Sequence, residues 1–295
     1  YGGPNDQGAT ALTLDPDGRA WVAMIDYSPT APNAWSSRVF RLTPPANPTP
    51  VQVHLIRDGG RDLVTGLAAS RDGLVYAGVS SLRPALVPSI VLLGKAGGAE
   101  AVFGPEAEAR AALAVGDGTI LGGWFKGSLD LGGTCPSLSG PAARRTAFVA
   151  RFDLARTCIW ATPLEATSHT AIEALARDPA GGGAADGALY AGGTFEGALG
   201  DAGGGGSGAM IARLSIATGG LVRVQAFPNL GPGATDVRSL AVDGAGRLVA
   251  TGWLGSRIDF GGGELSPDAQ WNLYVLSLTR DGQHDFSARY GRGMV

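Results

Sequence analysis

The sequence predicts an all-β chain: a β-propeller, most simply of five blades with four antiparallel strands each. Three observations carry this. A strand–turn–strand pattern recurs five times, each copy is followed by two further strand-like runs, and turn residues are too dense for helices. The chain has 295 residues, with 48 glycines and 18 prolines. Because 44% of it is hydrophobic, those glycines are read as turn residues rather than as a mark of disorder.

The first copy runs from Ala11 to Ala23 and the second from Gly66 to Gly78. The third runs from Ala112 to Gly123, the fourth from Ala174 to Gly193 and the fifth from Ser239 to Gly252. Their turns carry Gly18, Gly73, Gly118, Gly187 and Gly246, spaced 55, 45, 69 and 59 residues apart. Length varies where loops belong, as in the Ala/Gly insertion at 180–185. Asp-Gly and Gly-Gly between alternating apolar runs are hairpin signals. Third strands are expected at 38–42, 89–93, 148–152, 210–214 and 273–278, and fourth strands near 51–56, 100–103, 159–161, 222–227 and 285–290. A lone four-stranded sheet cannot bury both faces, and radial stacking of such sheets solves that. The expected blades are residues 1–57, 58–104, 105–165, 166–229 and 230–295 of one domain over 1–295. All-β folds of this length often form one domain. Tyr1-Gly2-Gly3 is in phase with Tyr290-Gly291. Five whole blades closing by face packing are therefore expected, with a fragment of a longer propeller as the alternative. A chain opening on Tyr1 is expected to be a trimmed product, any signal peptide being out of view.

Copies three and five continue in parallel, as Gly123-Trp-Phe-Lys-Gly-Ser-Leu-Asp-Leu-Gly-Gly133 and Gly252-Trp-Leu-Gly-Ser-Arg-Ile-Asp-Phe-Gly-Gly-Gly263. Copy four has the weaker Gly193-Thr-Phe-Glu-Gly-Ala-Leu-Gly-Asp-Ala-Gly-Gly204. Together with residues 147–153, Cys158-Ile-Trp160 and Tyr290-Gly291, this resembles the SBBP-type β-propeller repeat over residues 105–295. The resemblance implies a secreted or cell-surface bacterial protein, myxobacterial proteins being among those that carry the repeat. Copies one and two lack the Asp-aromatic-Gly-Gly element, and copy one has loops rich in proline (Pro44, Pro45, Pro48, Pro50). The family is defined by architecture and implies no single activity.

The net charge of −3, with 17% charged residues, offers no basic stripe for nucleic acid, and no apolar run is long enough for a membrane helix. Cys135 and Cys158 fall in one repeat. A disulfide between them would close a loop worth about 3 kcal/mol; the alternative is two buried thiols. Zinc is not expected, because His54, His169 and His284 fall at non-equivalent places. No cofactor is expected: phosphate-loop and dinucleotide motifs are lacking. Gly205-Gly-Ser-Gly-Ala209 reads as a flexible linker rather than a nucleophile elbow.

Acids recur near the start of each first strand: Asp6, Asp62, Glu108, Glu173 and Asp236. The first strand of a propeller blade lines the central channel. These acids are therefore candidates for a ring at one mouth that holds a cation or polar ligand, or for a carboxylate pair cleaving glycosides. The plainer reading is that each acid bonds loop backbone. Asp15, Asp17 and Asp243 sit in turns that lack the distal Glu of a calcium loop. Trp124, Trp160 and Trp253 are read as blade packing. Trp35 and Trp271 precede third strands in polar loops of copies one and five, neighbours in a closed ring, and are candidates for stacking on sugars or docking a partner. The expected function is a non-enzymatic, extracytoplasmic scaffold or protein-binding module, whether extracellular, at the cell surface or periplasmic. Its partner would be a protein or a surface glycan. A lectin-like propeller is the first alternative and a carbohydrate-active hydrolase with channel carboxylates the second.

Overall fold

The computed structural model describes residues 7–14, 19–27, 35–42, 51–56, 62–69, 75–81, 90–93, 99–104, 106–116, 118–178, 187–199, 205–268 and 272–291. Among these there is no helix; every regular element is a β-strand. The all-β expectation holds, and so does the four-stranded antiparallel blade of the propeller type.

The first sheet orders β1 (Gln7–Leu14), β2 (Ala20–Tyr27), β3 (Trp35–Leu42) and β4 (Val51–Ile56) as a meander. The second does the same with β5 (Asp62–Ala69), β6 (Val75–Ser81), β7 (Ile90–Leu93) and β8 (Ala99–Phe103). In the third copy β9 (Ala107–Val115) and β10 (Gly118–Phe125) are followed by a small hairpin, β11 (Ser128–Leu129) with β12 (Leu138–Ser139). The sheet then resumes with β13 (Thr146–Asp153) and β14 (Cys158–Leu164). The fourth sheet is β15 (Thr170–Asp178), β16 (Ala188–Glu196), β17 (Ser207–Ser215) and β18 (Leu221–Pro228). The fifth takes β19 (Ser239–Val242), β20 (Leu248–Leu254), β23 (Asn272–Leu278) and β24 (His284–Tyr290), with the hairpin β21 (Ile258–Asp259) and β22 (Glu264–Leu265) inserted. The third and fourth strands fall within a few residues of expectation. The stretch read as a linker does not: Ser207, Gly208 and Ala209 open β17, paired with Glu196, Phe195 and Thr194. Gly208 is needed there because a Cβ would strike the Phe227 carbonyl.

The chain divides into two compact units, residues 1–139 with 150–160 and residues 140–149 with 161–295. In the first, β1 packs beside β5 and β5 beside β9. In the second, β15 packs beside β19. First strands therefore meet first strands within each unit, as they do in propeller blades. The core of the second unit joins Tyr190, Ile211 and Phe227 of the fourth sheet to Leu248, Leu254, Phe260, Tyr274 and Leu276 of the fifth copy. Phe260 stacks edge-on to Phe227 at 5.2 Å and lies 4.8 Å from Tyr274.

Candidate functional site

Each first strand is broken by a bulge, in which two residues oppose one. The register shifts at Thr10 in the first sheet, Thr65 in the second, Arg110 in the third and Glu173 in the fourth. In the fifth, Asp236 pairs with Trp253 and Arg238 with Thr251, which puts Arg238 at the same place. The glycine opposite the bulge is Gly123, Gly193 or Gly252, and in each case a Cβ would collide with a first-strand carbonyl oxygen.

This register separates the five candidate acids. Glu108 and Asp236 are equivalent, two residues before the bulge, whereas Glu173 is the bulged residue itself, equivalent to two arginines. Asp62 opens β5, one position earlier than Glu108 in register. Asp6 lies outside the described residues. The candidate acids therefore fall at different register positions, because spacing alone does not reveal a bulge.

Glu108 and Asp236 do matching work. Glu108 accepts the Trp124 indole N–H at 3.0 Å and meets Arg110 at 3.3 Å. Asp236 accepts the Trp253 backbone N–H at 2.9 Å and Arg238 Nε at 2.7 Å. Arg238 also reaches Glu173, at 3.8 Å. The acid two before an arginine, with Gly-Trp on the next strand, is thus a lock between the first two strands. Its sequence signal, Glu-Ala-Arg and Asp-Val-Arg each followed by Gly-Trp, is visible once the pairing is known.

The turn acids are occupied locally. Asp243 Oδ1 accepts the N–H groups of Ala245 and Arg247, and Oδ2 accepts Arg247 Nε at 2.7 Å. The Arg247 backbone N–H and guanidinium hold the Asp243 carboxyl below its usual range. Gly246 has φ of +81°, the left-handed conformation such a turn needs. Among the described residues no group of three His, Cys, Asp or Glu is placed to hold a metal ion. Asp15 and Asp17 lie outside the described residues.

Cys135 and Cys158 form a disulfide. It ties the β11–β12 hairpin to the start of β14, supported by Thr134, which bonds the Cys158 carbonyl through its N–H at 3.1 Å and its hydroxyl at 3.0 Å. Trp160 and Trp124 are buried, as read. Trp253 differs: it is 42% exposed, because it lies on the face of the fifth sheet turned away from the fourth. It pairs with Leu273, which pairs with Tyr290, so three exposed apolar side chains form one row across the sheet. Trp35 is the first residue of β3, paired through its backbone with Tyr27, rather than a loop residue before it. Trp271 lies outside the described residues.

No helix among the described residues is long and apolar enough to cross a membrane. No family model and no curated protein matches the chain. A solved structure of a protein of unknown function from Bacteroides caccae is 10% identical, with a TM-score of 0.46, over 98% of this chain and 84% of that one. Likeness at that level says nothing of function.

Proposed function

We propose that this chain is a non-enzymatic, extracytoplasmic β-propeller of the SBBP type, closed as five blades, that serves as a structural scaffold or protein-binding module. The observation that carries the reading is what the channel-strand acids do. Glu108 and Asp236 each tie the first strand to the second, Glu108 through the Trp124 indole N–H and Asp236 through the Trp253 backbone N–H, each beside an arginine two residues on. A hydrolytic pair would need two carboxylates with different roles and a reacting atom between them. The disulfide fits an oxidising compartment outside the cytoplasm. The Asp-Leu-Gly-Gly hairpin of copy three and the Asp-Phe-Gly-Gly hairpin of copy five support the repeat family.

The five-blade reading draws on the five four-stranded antiparallel sheets, one for each copy of the repeat. The fifth sheet leaves Trp253, Leu273 and Tyr290 exposed on the side away from the fourth. The first sheet leaves Leu12 and Leu14 exposed, in register with Val22 and Ala20. Trp253 corresponds by register to Thr194, on the face the fourth sheet turns to its successor. Met24 corresponds to Gly252, on the face the fifth sheet turns to its predecessor.

A lectin reading draws on the same Trp253–Leu273–Tyr290 row, since a flat aromatic platform also suits a sugar ring. A glycan array with wild type and Trp253→Ala separates the two: the scaffold reading expects no glycan bound by either protein and a lower Tm for the variant. Binding that vanishes in Trp253→Ala at unchanged Tm establishes the lectin instead. For the hydrolase alternative, Asp236→Asn and Glu173→Gln are assayed on polysaccharides. The expected result is no cleavage by any form and a loss of about 1–3 kcal/mol of stability in Asp236→Asn. Cleavage by wild type that the variants lose would overturn the non-enzymatic assignment.

A further inference from the structure

Four residues before the bulge, the first strands of copies three, four and five share a backbone bond. Glu106, His169 and Ala234 hold this position. Each accepts on its carbonyl an N–H from the end of the second strand or just beyond it: that of Lys126 at 3.0 Å, Glu196 at 2.6 Å and Gly255 at 3.0 Å. The bond repeats, which marks it as structural, but the side chains differ. Glu106 turns to Lys126 at 3.4 Å, and Ala234 has no polar group. His169 reaches a different segment: its Nδ1 accepts the backbone N–H of Arg145 at 3.1 Å.

Arg145 belongs to the segment that leads into β13, and this segment is fastened to the start of β15 in two layers. The inner layer is uncharged and centres on the buried Thr170. Its N–H donates to the Arg145 carbonyl at 3.0 Å, and its hydroxyl donates to the Leu164 carbonyl at 2.7 Å while accepting the Ala147 N–H at 2.7 Å. The outer layer faces water. It consists of the His169 ring on the Arg145 N–H and the Arg144 guanidinium on the Thr167 carbonyl.

A ring nitrogen accepts a hydrogen bond only while it carries no proton, so the bond to Arg145 selects the neutral ring with its hydrogen on Nε2. A proton added at Nδ1 sets N–H against N–H, and attraction gives way to repulsion. The charged side chains on the three segments that meet here are Arg144 and Arg145 on the lead-in, Glu165 on the loop before β15, and Glu196 at the end of β16. Two of each sign leave little net field, so the conflict between donors decides the response to acid.

We propose that His169 is an acid-released clasp. Neutral, it holds residues 140–145 against the start of the fourth copy; protonated, it lets them go while the Thr170 layer stays closed. The clasp lies within the second unit and goes beyond the scaffold reading, on which it does not depend.

The test is imidazole nitrogen and amide-exchange NMR on the full chain at about pH 7.5 and about pH 5, a span over which imidazoles take up a proton. At the upper pH His169 is expected as the Nε2–H tautomer. The protection of the Arg145 amide, the ratio of its intrinsic to its observed exchange rate, is expected to fall about fivefold between the two conditions. That of Ala147 is expected to stay level. His169→Asn, whose amide oxygen accepts without titrating, is expected to abolish the fall. His169→Phe, which has no acceptor, is expected to hold Arg145 at the lower protection in both conditions. An Nδ1–H tautomer at the upper pH overturns the proposal. So does an Arg145 protection that does not change, a fall shared by Ala147, or a fall that persists in His169→Asn and so belongs to another titrating group.

Discussion

Gly123, Gly193 and Gly252 hold one position in three sheets, each facing a bulge whose carbonyl oxygen leaves no room for a methyl group. Gly244, in the turn after β19, has nothing within 4 Å of where a Cβ would lie. Gly193→Ala is therefore expected to cost about 1–3 kcal/mol by overpacking, and Gly244→Ala to fall within about 0.5 kcal/mol of wild type, as read by denaturant unfolding. Tyr274 gives a second residue-scale test. Its hydroxyl donates to the Asp236 carbonyl at 2.8 Å deep in the core. Burial, then the charge of Asp236, pushes its pKa up. A raised folded-state pKa means the stabilisation is whole below the unfolded tyrosine value of about 10 and is lost as the pH climbs past it. Tyr274→Phe is expected to lose about 1–2 kcal/mol at neutral pH and to unfold less steeply in alkali than wild type. An unchanged alkaline profile would show that Tyr274 does not set it. The acids show where sequence reading stopped. Asp and Glu near strand starts were visible, but which of them share a register position depends on a bulge that leaves no mark in spacing.

At the scale of the element, the four-strand unit was legible because period-two alternation and Asp/Gly turns are local signals. The two added hairpins carry a sequence motif but no strand signal, since two-residue pairs are too short to show alternation. Their form comes from the motif itself. Asp259 Oδ1 accepts the N–H groups of Gly261 and Gly263 at 2.7 and 3.0 Å, and Asp130 accepts that of Gly132 at 2.9 Å. Asp259→Ala removes both bonds and is expected to raise amide exchange across 258–265 while the β20–β23 ladder stays protected. The hairpins are fastened to the fourth strand by different chemistry. In copy three it is the disulfide to Cys158, the first residue of β14; in copy five His284, the first residue of β24, lies against Gly261 and Gly262. Reduction is expected to cost about 3 kcal/mol in the loop-closure account. Exchange should quicken at 128–139 and leave 258–265 untouched. Equal loosening of both hairpins would contradict this division of labour.

At the scale of the whole molecule, the repeat was readable because a module copied several times reinforces its own signal. Its cover was not: nothing in the sequence distinguishes Trp253 from Trp124, yet one is 42% exposed and the other 4%. Trp253 lies on the face of the fifth sheet turned away from the fourth. The proposed ring turns on that face. A photo-crosslinking residue in place of Leu273, followed by peptide mapping of the monomer, tests it most directly. The account predicts crosslinks within one chain to the segment 7–27 that carries Leu12, Leu14 and Met24. Crosslinks that appear only between two copies, or only to solvent-exposed loops elsewhere, would contradict a closed five-bladed chain.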